Sequence, residues 1–303
     1  MNYNLLGIFY IKRSGGPTLA RILVTVSGGT VSSSVSDGLV KLGTESPIVS
    51  YLAKTPGEFE FISPANYSSE NARPEDYRDV LKAVSGAASK SRPDGMIILH
   101  GTDTMAYFAQ IAVRVLAHLA IPFVITGSKI PPDSEGTDAF VNIDFAVGQV
   151  RQGNSGVVFT THEGAPAIVP ADKVTSPDIY GDYGVWPDSA DFDFSSERYR
   201  RASEAFLASE KLHRIQVIPA APTPGILDDG FDTVLITCHH SGTADVKLVP
   251  KVRKWTAKGI RCFMAPVPRN SNIYESRAML ESAGAVALPG MPPEGAWAEA
   301  LIT

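Results

Sequence analysis

The chain alternates short, nearly continuous apolar runs with longer stretches in which apolar residues recur every three or four positions. The first strong run, Arg21-Ile22-Leu23-Val24-Thr25-Val26, is rich in β-branched residues and closes on Ser27-Gly28-Gly29. It predicts a buried strand that ends in a tight turn. Residues 95–99, 122–125 and 156–160 have the same character. Strands apolar on both faces belong to a parallel sheet covered by helices. Helical patterns lie between them. Pro74 suits a first helical position, Glu75 and Asp76 its first turn, and Tyr77, Val80, Leu81 and Val84 one buried face. Residues 104–119 set Met105, Phe108, Ala112, Val115, Leu116 and Leu119 at helical spacing. This alternation predicts an open α/β sheet.

From about residue 188 the texture changes. Residues 195–212 are charged with a helical pattern, and Pro219, Pro222, Pro224 and Gly225 then punctuate the chain. Apolar runs at 231–238 and 260–265, with a helical pattern around 248–258, predict a second and smaller α/β segment. The expected organisation is an extension over 1–20, an N-terminal catalytic α/β domain over 21–195, a linker over 196–220 and a C-terminal α/β domain over 221–303.

Composition narrows the function classes. The 303 residues are 44% hydrophobic and 19% charged, an ordinary globular balance with enough chain for two cores. A net charge of −5 without a basic stripe argues against a nucleic-acid partner. No run approaches the roughly 18 apolar residues of a membrane span. Near the N-terminus the apolar stretch precedes Lys12 and Arg13, the reverse of a secretory signal. Cys238 and Cys262 lie inside apolar runs and read as buried reduced thiols, which fits a cytoplasmic protein.

In open α/β sheets, ligands bind beyond the carboxyl ends of the strands. The segments that follow these strands are Ser27-Gly28-Gly29-Thr30, His100-Gly101-Thr102-Asp103-Thr104 and Gly127-Ser128-Lys129. Glycines let backbone amides approach a ligand, and the hydroxyls and carboxylate project beside them. Thr102, Asp103 and Thr104 equally suit the capping of the next helix. Thr30 equally suits a turn. No dinucleotide-binding or P-loop pattern accompanies the glycines.

Taken together, residues 24–30 and 98–105 resemble the two signature segments of the asparaginase family. The likeness continues through Val124-Ile125-Thr126-Gly127-Ser128-Lys129-Ile130-Pro131-Pro132 to Gly290-Met291-Pro292-Pro293-Glu294, and is greatest to the cytoplasmic, type I-like branch. The resemblance implies a two-domain asparaginase-like fold. It implies an amidohydrolase for a small amino-acid amide, with no cofactor and no metal, working as a homodimer or homotetramer. By the same resemblance Thr30 is the nucleophile and Thr102 with Asp103 forms the proton relay. Asp103 also holds the substrate α-amino group, and Ser68 and Ser69 hold its carboxylate. Gly29 and Gly101 complete the expected substrate site, and the placement of the glycines suggests backbone amides beside Gly29 and Thr102 as the donors to the oxyanion.

Three departures stand out. Where the family places its relay lysine this chain aligns Ser176, with Lys173 three residues earlier as the substitute. Residues 31–43 carry no tyrosine for the closing lid. Where the family's C-terminal domain offers an asparagine to a neighbouring protomer, this chain has His239 and His240 within residues 238–244. Two alternatives follow: an asparaginase-like protein that binds an amino acid without turnover, and the ammonia-releasing component of a tRNA amidotransferase. No domain is evident ahead of residue 21 for the latter.

Overall fold

The computed structural model describes residues 9–11, 20–36, 39–43, 46–221, 230–269 and 272–303. Most of the expected 1–20 extension, together with Pro222, Pro224 and Gly225, lies outside the described residues. The chain divides into two compact units, residues 1–184 with 194–200, and residues 185–193 with 201–303.

The first unit opens on β1 (Phe9–Ile11), β2 (Arg21–Val26) and a hairpin of β3 (Ser33–Ser36) and β4 (Leu39–Leu42). Next come α1 (Pro47–Leu52), β5 (Glu58–Ile62), α2 (Pro74–Ser91) and β6 (Gly95–Leu99). Then follow α3 (Met105–Leu116), β7 (Phe123–Thr126), α4 (Ala139–Arg151) and β8 (Gly156–Thr160). The unit ends in β9 (Pro166–Val169), β10 (Val174–Pro177) and β11 (Tyr183–Val185), whose last residue falls in the second unit. Among the described residues seven strands form one sheet, in the order β1-β5-β2-β6-β7-β8-β9. Its central strands β5, β2, β6, β7 and β8 are parallel, and β1 and β9 close the edges antiparallel. The apolar runs read in the sequence occupy the middle of this sheet. Ile22, Leu23, Val24, Ile97, Ile98, Val124, Ile125 and Val158 are all fully buried.

Helix α2 begins where the sequence signals coincide. Pro74 stands in its first turn, and the Asp76 carboxylate accepts the Arg73 N–H at 2.7 Å. Helix α3 is buried on most of its circumference, which an apolar helix beneath a parallel sheet requires.

The second unit holds β12 (Ile215–Ile218), β13 (Thr233–Thr237), α6 (Val249–Ala257), β14 (Arg261–Val267), α7 (Glu275–Ser282), β15 (Val286–Pro289) and α8 (Pro293–Ile302). Its four strands are all parallel, in the order β12-β13-β14-β15. Cys238 and Cys262 are free and buried in this core, and burial pushes their thiols up to about 12 and about 11. The stretch 196–220 is structured rather than a plain linker. It holds α5 (Glu197–Ala208), divided between the two units, and β12, the edge strand of the second sheet. The prolines after residue 218 that suggested a linker follow β12 instead of replacing it.

Candidate active site

Adjacent parallel strands β2 and β6 are in register up to Val26 opposite Leu99. Their carboxyl ends therefore deliver Ser27-Gly28-Gly29-Thr30 and His100-Gly101-Thr102-Asp103 to the same edge of the sheet. The two turns touch through their backbones. A Cβ placed on Gly29 would lie 2.5 Å from both N and Cα of Gly101. A Cβ on Gly101 would meet the Ser69 Oγ. A Cβ on Gly28 would strike the Tyr67 backbone, and Gly28 and Gly29 have φ of 104° and 78°. Glycine is what allows three chain segments to meet here.

Each sequence-assigned residue can now be placed. Thr30 is half-buried and opens a 3₁₀ turn, Thr30–Ser32, pinned by the Gly29 carbonyl, which accepts Ser32 N–H at 2.9 Å and Ser33 Oγ–H at 3.0 Å. Thr102 is half-buried and Asp103 exposed. Neither is the N-cap of α3. That position belongs to Thr104, whose hydroxyl makes no capping bond and instead donates to the Ser69 carbonyl at 3.1 Å while accepting from Tyr77 Oη at 2.7 Å. Ser68 precedes the 3₁₀ turn Ser69–Asn71, so both serines stand on the loop that leads into α2. The Gly29 amide is already bonded to the Tyr67 carbonyl at 3.0 Å. The amides of Thr30 and Thr102 donate to no described residue.

Lys173 lies in the turn between β9 and β10, where its N–H donates to the Pro170 carbonyl at 3.0 Å. Its side chain makes no hydrogen bond or ion pair with a described residue, and none joins it to Thr102. Its backbone serves a tight turn, which sets where the ammonium can reach.

Directly behind Gly101, His100 is fully buried. Its ring stacks on Phe108 at 4.5 Å and lies 5.7 Å from the rings of both Tyr67 and Tyr77. Nδ1 is 2.8 Å from the Gly101 carbonyl, which fits a neutral ring that donates from Nδ1. Burial holds its pKa down at about 4. The unfolded chain therefore takes up this proton below its ordinary value of 6.5, whereas the folded chain does so only near 4. Stability from this group is full above 6.5 and falls with pH through that window, by up to ~3 kcal/mol. The difference in unfolding free energy between wild type and His100→Asn should accordingly shrink between pH 7 and pH 4. A difference that is flat across that range would mean that the imidazole is not held neutral.

One contact was not legible in the sequence. The buried Tyr183 donates its hydroxyl to the Thr102 carbonyl at 2.5 Å. In the hairpin after Thr30, Val35, Leu39 and Val40 are exposed, and Val35 N–H reaches the Asp133 carboxylate at 3.4 Å.

The second unit has a cavity of ≈ 570 Å³ at the carboxyl ends of β12 and β13, lined in part by His239, His240, Thr243, Asp245 and Tyr274. Both histidines are exposed. Among the described residues no group of three or more histidine, cysteine, aspartate or glutamate side chains converges to hold a metal ion. No helix among them is long and apolar enough to cross a membrane.

Comparison with known proteins identifies the family and the fold. Residues 21–177 match the family model described as asparaginase, N-terminal. A glutamyl-tRNA(Gln) amidotransferase component from Thermoplasma acidophilum is 26% identical over 307 residues, covering 93% of this chain and 74% of that protein. An L-asparaginase of Thermococcus kodakarensis is 30% identical over 141 residues, covering 45% of this chain and 42% of the other. The fold is shared with L-asparaginase I of Vibrio cholerae, at TM-score 0.64 and 18% identity over 93% of this chain and 92% of that one. It is shared too with the thermostable L-asparaginase of Thermococcus kodakarensis, at TM-score 0.64 and 21% identity over 92% and 93%. The matched span contains both glycine turns and the Thr102-Asp103 pair and exceeds half of the sequence, so the chain belongs to the asparaginase family of amidohydrolases.

Proposed function

We propose that this protein hydrolyses the side-chain amide of L-asparagine, or of a closely related small amide, to the carboxylic acid and ammonia. The observation that carries the reading is the backbone contact between Gly29 and Gly101, because it puts the Thr30 and Thr102-Asp103 turns at one edge of the sheet. Thr30 attacks the amide carbon, and its proton passes through Thr102 towards the departing ammonia. A threonine hydroxyl is too weak an acid to react unaided, so this relay is essential. The acyl-enzyme is then hydrolysed by water. The amides of Thr30 and Thr102 suit the oxyanion. Asp103 takes the substrate ammonium, and Ser68 and Ser69 take its carboxylate. Lys173 is the cation assigned to the relay. The protein acts in the cytoplasm as a homodimer or homotetramer.

Steady-state ammonia release from L-asparagine, L-glutamine and simple aliphatic amides tests this, with turnover expected on asparagine. Tight aspartate binding with no ammonia from any amide would favour a ligand-binding protein that has lost turnover. The likeness to a glutamyl-tRNA(Gln) amidotransferase component supports a second reading, release of ammonia to a partner enzyme. Glutamine preferred over asparagine, with co-purification of an amidotransferase partner, would favour it.

A further inference from the structure

We propose that Tyr183 is a positioning residue for Thr102, its phenol fixing the Thr102–Asp103 peptide while a Lys129–Asp182–His162 group holds the loop that carries it. The proposal rests on the amide-hydrolase reading above and adds a residue to that machinery. Tyr183 packs its ring edge-on against Phe159 of β8, with centroids 5.1 Å apart. Its hydroxyl donates to the Thr102 carbonyl at 2.5 Å, whereas the Met105 N–H reaches the same oxygen only at 3.5 Å. The phenol is therefore the short bond on the peptide that joins the two relay residues. Burial, and after it the negative charge of Asp103, push its pKa upward, so it stays an O–H donor.

The loop before Tyr183 is fastened at several points. Asp178 Oδ1 accepts the N–H groups of Tyr180 at 2.8 Å and Asp182 at 3.1 Å. The Asp182 carboxylate accepts His162 N–H at 2.8 Å and lies 2.6 Å from His162 Nδ1. Lys129 Nζ donates to the Tyr180 carbonyl at 3.1 Å and stands 3.6 Å from Asp182 Oδ1. The His162 ring stacks on Tyr180 at 5.1 Å. Lys129 follows β7 and His162 follows β8, so the loop is tied to the carboxyl edge that also carries Thr102. A phenylalanine at 183 would fill the same space against Phe159. The hydroxyl has one described partner, and that partner is the Thr102 carbonyl.

The test compares the full-length wild type with Tyr183→Phe and Asp182→Asn, by ammonia release, thermal melting and hydrogen exchange over residues 100–107. Tyr183→Phe should lower kcat about tenfold or more, leave KM within about twofold and the melting temperature near wild type, and speed exchange near Thr102. Asp182→Asn should shift the same quantities in the same direction, by less. A Tyr183→Phe variant with kcat within about twofold of wild type and unchanged exchange would overturn the proposal. So would a fall in kcat matched by equal loss of folded protein and reproduced by Phe159→Leu, since packing alone would then explain it. If the wild type releases no ammonia from any amide, the reading of function fails. The exchange comparison then decides the positioning role by itself: faster exchange supports it and unchanged exchange overturns it.

Discussion

Thr30→Ala is expected to reduce ammonia release by at least ~1000-fold, while the protein remains folded. Removing a nucleophile that works as a unit with its relay costs orders of magnitude in kcat, because no other group can form the covalent intermediate. The substitution is mild for the fold. Thr30 is half-buried, and the turn it opens is held by the Gly29 carbonyl bonded to Ser32 and Ser33, not by the Thr30 side chain. Melting temperature should therefore stay close to wild type. Thr30→Ser keeps the hydroxyl and should retain measurable turnover. Thr102→Ala, which removes the proposed relay hydroxyl, should fall between the two. The decisive observation is mass spectrometry after rapid quenching with a slow amide substrate, which should find an acyl group on the peptide containing Thr30. Thr30→Ala activity within about tenfold of wild type would remove Thr30 from the mechanism and make Thr102 the next nucleophile to test.

How much of this was legible beforehand depended on whether a residue's role is set locally. Runs such as residues 95–99 and 122–125 identify themselves as central strands, because burial on both faces leaves no polar position. Strand β5 escaped, although it lies between β1 and β2. Its Glu58-Phe59-Glu60-Phe61 alternation looks half-exposed, yet Glu60 is buried. Polar spacing usually signals solvent, and tertiary packing overrides that signal here. The glycine pairs could be seen but not their mutual approach, which follows only once β2 and β6 are neighbours in register. Tyr183 had no local signal at all. It acts on a backbone carbonyl 81 positions earlier in the chain, and no spacing rule connects the two. The turn that holds Lys173, closed by its N–H on the Pro170 carbonyl, was likewise not marked by any local pattern.

The approach of the two turns has its own consequence: Gly29→Ala should destabilise the protein by about 2–6 kcal/mol and abolish activity with it. Two costs combine. Gly29 has φ of 78° and ψ of −179°, a region open essentially to glycine alone, and holding a residue with a Cβ there costs about 1–3 kcal/mol. The new methyl would then sit 2.5 Å from N and Cα of Gly101 and 3.0 Å from the His100 carbonyl carbon. These are backbone atoms at the ends of packed strands, so no side chain can swing away, and overpacking of this kind costs about 1–3 kcal/mol. Relief requires the ends of β2 and β6 to separate, which parts Thr30 from Thr102. Gly86→Ala is the matched control. Gly86 is exposed in the interior of α2 with nothing within 4 Å of its would-be Cβ, and alanine there should stabilise by ~0.5–1 kcal/mol. Denaturant melts of the two variants, run beside wild type, should move in opposite directions. If Gly29→Ala unfolds at the wild-type midpoint and still turns over substrate, the two turns do not meet as described, and the shared edge on which the chemistry depends is lost with them.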